Sequence, residues 1–359
     1  LRNWRRKEMM RRIKKGSAIL LAAALVFSAL ALPKAYAAVG VETDRNDCKI
    51  TINVPTEGFK ELKDLSIPVE LYKVADIGVG AEYTLTTDFG TAKLKGIESV
   101  NSTTSTEAWT TFAEEAKKIV DTAKEDKNAL AIEKTGTISD GKVTIEDIPV
   151  GLYLVDVQTT PSSTYEYSFI PYLISLPNNY YSLENPDDTW DYEIEVGVKP
   201  EKKDLYGDLK INKMVDTYNG TVGGATFVFQ VEASKTDIDT KETKKVYSNV
   251  VSLTFDGPGT ESILIENIPA GAKVTVTEIY SGASYQIDSD SALSQETEII
   301  AERTKDESGT VEEIATVNFA NTYNGGTTDG DGIVNSFKYN SEKNTWSHSA
   351  SVDSEQAAN

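Results

Sequence analysis

Hydrophobic and polar positions alternate with a period of two along most of the chain. Ile67, Val69, Leu71, Lys73 and Ala75 share one face of an extended segment, as do Leu209, Ile211, Lys213 and Val215. Val274, Val276 and Glu278 make a third set, and Val317, Phe319, Asn321 and Tyr323 a fourth. Runs rich in Tyr, Thr, Val and Ile, separated by Gly, Pro and Asn breaks, predict half-buried strands and an all-β fold of sandwiches. One segment departs from this. Ala108, Trp109, Phe112, Ala116, Ile119, Val120 and Ala123 recur at helical spacing, with Glu114, Glu115, Lys117 and Lys118 between them. The spacing predicts an amphipathic helix over 105–124, laid on the first domain by its apolar stripe.

The pattern also echoes itself. Ile145-Glu146-Asp147-Ile148-Pro149-Val150-Gly151 matches Ile265-Glu266-Asn267-Ile268-Pro269-Ala270-Gly271. A repeated supersecondary unit implies two related sandwiches, the first carrying the helix as an insertion. The charged stretch Pro200–Asp204 places the boundary, giving a first domain over 38–203 and a second over 204–324. Gly325 to Gly332 then reads as a flexible linker, so 325–359 is expected to be linker and tail. Ile333, Phe337, Tyr339 and Trp346 provide for a short strand or hairpin within that tail.

The first 37 residues set the compartment. Met9 or Met10 precedes Arg11, Arg12, Lys14 and Lys15; a small, apolar run spans 18–32; Ala35-Tyr36-Ala37 follows. A basic region, an apolar region and an A-x-A site read as a secretory signal peptide, with 1–8 as translation upstream of the start. The apolar run is shorter than the roughly 20 residues a bilayer span needs, so the cleaved chain is expected not to span a membrane. Extracellular, cell-surface or cell-wall location follows.

Charge removes one class of partner. The chain carries a net −20, and the signal segment holds nine Lys or Arg against one acid, which leaves −28 beyond it. Nucleic-acid binding needs clustered cations, so no nucleic acid is expected. Cys48 is the only cysteine, so no internal disulfide forms, although exported domains commonly carry them. His348 is the only histidine, which leaves no histidine-based catalytic or metal site to assemble in the domains. No cofactor and no enzymatic turnover are expected.

Three polar residues stand where the alternation calls for apolar ones: Lys213, Glu278 and Asn321. Burying one unpaired charge is expensive, and a base, an acid and an amide on three strands point to a meeting place. In a dry core the lysine loses its proton and becomes a nucleophile, while the acid keeps its proton and can bond the amide. The product would be a Lys213–Asn321 isopeptide with Glu278 as the acid, formed once per molecule with release of ammonia. A buried Lys–Glu salt bridge with Asn321 as a hydrogen-bond partner is the other reading of the same positions.

Leu209–Val215 (LKINKMV), Val274–Glu278 (VTVTE) and Val317–Tyr323 (VNFANTY) resemble the signature strands of CNA-B-type domains of Gram-positive pilins. The resemblance covers roughly 205–324 and implies that Lys213, Glu278 and Asn321 form an intramolecular isopeptide. The first domain resembles, more loosely, the N-terminal domain of sortase-assembled pilins, through Leu71–Val74, Gly151–Asp156, Ser168–Pro177 and Trp190–Pro200. That likeness implies Lys199, nine residues after Trp190, as the sortase acceptor; a solvated strand-end lysine is the alternative. The order here is Val198-Lys199-Pro200, and Pro200 replaces the asparagine that closes an internal bond in related first domains. Lys73 and Asp156 have the spacing of a lysine and acid of a triad, and are expected to pair without a cross-link.

The reading is thus two tandem Ig-like, CNA-B-type sandwiches forming a structural subunit of a pilus or fimbria. Its expected partners are other pilin subunits and a sortase. A surface adhesin binding a host ligand, with the second domain as stalk, is the alternative. Residues 335–359 contain no LPxTG-like sorting signal.

Overall fold

The computed structural model describes residues 40–90, 94–101, 103–178, 190–221, 223–282, 284–301, 314–325, 333–340 and 345–352. The signal segment and Gly326–Gly332 lie outside the described residues. The protein is mostly β, with a single α-helix among the described residues.

The first part of the chain contains β1 (Cys48–Asn53), β2 (Ile67–Ile77), β3 (Tyr83–Leu85), α1 (Thr106–Glu125), β4 (Lys134–Ile138), β5 (Lys142–Ile148) and β6 (Gly151–Val157). It continues with β7 (Thr160–Pro161), β8 (Tyr165–Phe169), β9 (Tyr172–Leu176), β10 (Glu193–Gly197) and β11 (Pro200–Asp204). Its sheets run β10-β1-β5, β11-β8-β7, and β3-β2-β6-β9 with β4 beside β2. Every residue of β6 is buried, so both faces of its sheet are covered. The helix packs on one face, against β6 and β9. Ser105 caps it, its hydroxyl accepting from the Ala108 N–H at 3.3 Å, and Glu107 and Lys124 suit the two ends of its dipole. Ala113, Ala116 and Val120 are buried, and Trp109 and Phe112 meet edge-to-face. The helix expected from spacing is therefore present within a residue at each end.

The second part is a sandwich of two four-stranded sheets. Its strands are β12 (Tyr206–Val215), β13 (Ala225–Thr236), β14 (Thr243–Phe255), β15 (Gly259–Pro269), β16 (Lys273–Tyr280), β17 (Tyr285–Ile287), β18 (Ser294–Glu298) and β19 (Ala315–Tyr323). One sheet runs β15-β12-β19-β17 and the other β14-β13-β16-β18. Buried apolar residues form two clusters, one between Val41 and Val198 and one between Leu209 and Phe319.

The sequence echo has a structural counterpart. In β5 and in β15 one extra residue bulges opposite the first strand of its domain, between Ile145 and Ile148 and between Ile265 and Ile268. Asp147 and Asn267 take left-handed φ values of 54° and 64° there, which these two residue types tolerate best after glycine. Both domains also set the first strand between an antiparallel neighbour and a parallel strand from late in the domain, β5-β1-β10 and β15-β12-β19.

The β13–β14 turn joins the domains. The Asp239 carboxylate accepts from the Lys60 N–H at 3.0 Å and from Lys202 Nζ at 2.9 Å. Lys235 reaches Asp204 at 2.8 Å and lies 4.2 Å from the Tyr165 ring centre. Beyond the second sandwich, β20 (Ile333–Asn340) and β21 (Thr345–Val352) form an antiparallel hairpin. The short strand or hairpin expected within the tail is present, as two paired eight-residue segments.

Candidate functional site

Three strands bring the polar residues of the second domain together. Lys213 is on β12 and Asn321 on β19, parallel neighbours whose register pairs Lys213 with Phe319 and Val215 with Asn321. The two side chains therefore leave the same face, two positions apart along adjacent strands. Glu278 comes from β16 in the opposite sheet. All three are buried, Lys213 and Asn321 at 0% exposure and Glu278 at 3%. Lys213 Nζ lies 3.1 Å from Glu278 Oε2, and Asn321 Nδ2 lies 2.6 Å from Glu278 Oε1. The Phe227 ring centre lies 4.5 Å from Nζ, and Phe229 and Phe319 meet in a tilted pair with centres 5.1 Å apart.

Electrostatics favour the neutral forms. Burial lowers the Lys213 pKa, and the attraction of Glu278 does not restore it. Burial likewise raises the Glu278 pKa against the opposing pull of Lys213 and the bond from Asn321. A neutral amine and a protonated acid are the forms that the dry site tolerates. Asn321 Oδ1 is buried and has no hydrogen-bond partner. The 2.6 Å separation is the length of an O–H···O bond rather than of a neutral N–H···O bond. Turning the amide by half a revolution puts Oδ1 on Glu278 and satisfies it, with the acid donating to the carbonyl. That polarises the carbon that Lys213 would attack.

The first domain lacks this arrangement. Lys73 pairs with Asp76 at 2.6 Å, while Asp156 faces Lys117 and Lys124, each at 3.5 Å. The expected Lys73–Asp156 pair is therefore corrected, and parity is the reason. On β2 and β6 the register partners are Glu70 with Asp156 and Lys73 with Tyr153. An odd offset of three puts Lys73 and Asp156 on opposite faces of the sheet. The matching bulges fix the equivalence of the domains more surely than spacing does. Six residues beyond Cys48 and Gly207, which face Ile148 and Ile268, stand Val54 and Lys213. Continued three residues past its last pair, Asn53 with Gly197, the parallel register would bring Pro200 to the position that Asn321 holds in the second domain.

The sequence reading missed the cluster under the helix. Lys124 reaches Glu70 at 2.7 Å, and Tyr72 donates to Glu70 at 2.6 Å. Lys117 and Lys124, seven residues apart on one helix face, together with Asp156 inside the apolar run GLYLVDV, were the available signal. Cys48 is buried, and burial pushes its thiol up to about 11, so it is an inert core residue.

Lys199 lies between β10 and β11, where its carbonyl accepts from the Ile170 N–H at 3.0 Å. It lines one side of a cavity of about 700 Å³ between β9, β10 and α1, alongside Trp109, Tyr83, Ile174 and Val196. Among the described residues no cluster of metal-ligating side chains occurs, and no helix is long and apolar enough to cross a membrane.

Residues 209–324, which include Lys213, Glu278 and Asn321, match a family described as a domain of unknown function (DUF5979). No curated protein matches the chain. Among solved structures, the fimbrial protein FimP from Actinomyces oris is similar at 10% identity and a TM-score of 0.26, over 68% of this chain and 64% of that one. This chain thus spans just under two thirds of FimP. The shaft pilin SpaA from Lactobacillus rhamnosus GG is similar at 13% identity and a TM-score of 0.25, over 78% of this chain and 99% of that one. The major pilin SpaD from Corynebacterium diphtheriae is similar at 9% identity and a TM-score of 0.23, over 79% and 99%. These solved structures are Gram-positive pilins, the class that the motifs of the second domain resemble.

Proposed function

We propose that this chain is a structural subunit of a Gram-positive cell-surface pilus or fimbria, with a second domain locked by a self-formed Lys213–Asn321 isopeptide bond. The observation that carries the reading is the contact of Lys213 and Asn321 with opposite oxygens of one buried carboxyl group, Glu278. Folding holds amine and amide on the two oxygens of one carboxyl group, which supplies the proximity that an uncatalysed amide exchange lacks. The neutral Nζ attacks Asn321 Cγ while Glu278 donates its proton to Oδ1. One Nζ proton then passes through Glu278 to Nδ2, the Cγ–Nδ2 bond breaks with loss of ammonia, and the Oδ1 proton returns to Glu278 as the carbonyl re-forms. The carboxyl group ends as it began, and the reaction runs once. Intact mass of the purified chain should fall short of the sequence mass by one ammonia, and Glu278→Ala should restore the full value. A full mass for well-folded wild type would falsify the bond.

The subunit reading extends to assembly outside the cell. Lys199 serves as the acceptor for a sortase-delivered neighbour, at the edge of the first domain. Expression with the cognate sortase should give high-mass ladders that vanish in Lys199→Ala; ladders that persist would move the acceptor elsewhere. One observation favours an adhesive role besides: the apolar cavity beside α1 has the size of a small-ligand site.

A further inference from the structure

The cavity beside α1 is a seam between two strands. Asn178 and Asp191 exchange main-chain hydrogen bonds of 2.9 and 2.8 Å, and the Ile170 N–H donates to the Lys199 carbonyl at 3.0 Å. Both contacts obey one antiparallel register, in which Ile174 would face Glu195. Yet among the described residues β9 pairs only with β6, and β10 only with β1. The strands part between two pinned ends and leave a slot of about 700 Å³, floored by Trp109 and Tyr83 and flanked by Ile174, Ile194 and Val196. Sheet edges of this kind present main-chain donors and acceptors to an incoming strand.

The tail supplies a strand in the complementary condition. Among the described residues β20 and β21 pair only with each other, and a lone two-stranded hairpin is marginally stable in water. Ile333, Phe337 and Tyr339 share one parity of β20. Topology says which slot it can reach. The second sandwich starts at the junction, where Leu205 N–H bonds the Thr164 carbonyl. Because β19 runs parallel to β12, the chain leaves that sandwich at its far end. Ten-residue β12 spans about 33 Å, whereas the seven residues between Gly325 and Ile333 plus their flanking bonds reach at most about 28 Å. Ile333 therefore falls short of the first domain of its own molecule.

We propose that β20 of one copy enters the β9–β10 slot of a second copy and pairs with the open edge of β10, joining copies head to tail. This rests on the subunit reading and adds a non-covalent joint to it. The strand exchanges its pairing with β21 for pairing with β10, so main-chain bonds are conserved while the apolar slot is filled. The interface is heterologous, so it links successive copies into an open chain unless the rotation between them closes a ring.

Sedimentation of the full chain over a wide concentration range tests this. Wild type should associate with increasing concentration. A tail variant, Phe337→Pro, and a slot variant, Val196→Arg, should each weaken self-association at least tenfold. Ile170→Arg, more exposed on the slot rim, replaces Val196→Arg if that protein melts early. Mixing the tail variant with the slot variant should restore association that stops at two molecules, because only one sound tail and one sound slot remain. A wild type that stays monomeric, or a tail variant that associates like wild type, overturns the proposal. The ammonia loss in the same samples reports separately on the isopeptide, so failure of one reading is distinguishable from failure of the other.

Discussion

The two sandwiches share a frame and fill it differently. Where the second carries Lys213 and Asn321, the first carries Val54 and Pro200, and its buried charge lies under the helix instead. Both clusters are built from lysine and carboxylate. In the second domain one base meets one acid with no exposure worth counting, and burial shifts both toward neutrality. In the first, two lysines about one-third exposed surround Asp156 and Glu70. Burial acts against the charge of Lys124, but its bonds to Glu70 and Tyr72 outweigh it and hold its pKa above the ordinary value. A protonated ammonium is no nucleophile. Water access and the count of opposite charges, rather than residue type, separate a reactive site from an ion network.

The largest expected effect breaks the second cluster. A cross-link from 213 to 321 closes a loop of about 100 residues, worth about 4.7 kcal/mol in the chain-entropy model. Asn321→Ala should therefore lower the melting temperature of the second domain by on the order of 20 °C and open it to trypsin. The first domain should melt as before. Calorimetry with limited proteolysis checks both parts, and an unchanged second transition would leave the bond without a stabilising role.

The same contrast explains what the sequence made legible. Period-two alternation exposed Lys213, Glu278 and Asn321 because each interrupts an otherwise apolar face, and a polar residue on such a face must find a partner. The helix was legible for the same reason at a different period. Lys73 and Asp156 misled because spacing along a strand carries no information about which strand occupies which place. β2 corresponds to β13, not to β12, and only the bulges at Asp147 and Asn267 reveal it. The β9–β10 slot was invisible, since both strands alternate normally and only the three-dimensional register shows that they part.

A smaller effect sharpens the comparison from the other side. If charge count and water access prevent reaction, Lys124 and Asp156 remain unlinked even though a lysine and an acid lie in contact. Asn321→Ala should then have its full sequence mass, with no loss of water from an amide between Lys124 and Asp156. Asp156→Ala should cost about 1.5–3 kcal/mol, the range for hydrogen bonds to charged groups, because Lys117 and Lys124 can turn to solvent once it is gone. Chemical denaturation of the Asn321→Ala background with and without Asp156→Ala measures the increment. A cost as large as that of losing the isopeptide would mean that the ion network, too, acts as a lock.

The smallest effect is a pH dependence confined to the first domain. Burial opposes the ionisation of Glu70, but hydrogen bonds from Lys124 and Tyr72 and the charge of Lys124 overcome it, so its folded pKa lies below its unfolded one. The folded state then binds fewer protons than the unfolded state through that interval. The stabilisation is fully present above the unfolded value and is lost as pH falls through the folded one. Between neutrality and the carboxylate range the first domain should hold its melting temperature, then fall on further acidification. Glu70→Gln should flatten part of that fall while lowering the plateau, because the amide cannot titrate and bonds the ammonium more weakly. Calorimetric scans of wild type and Glu70→Gln across the acid limb check it. If the two proteins lose stability in parallel, Glu70 does not carry the acid sensitivity.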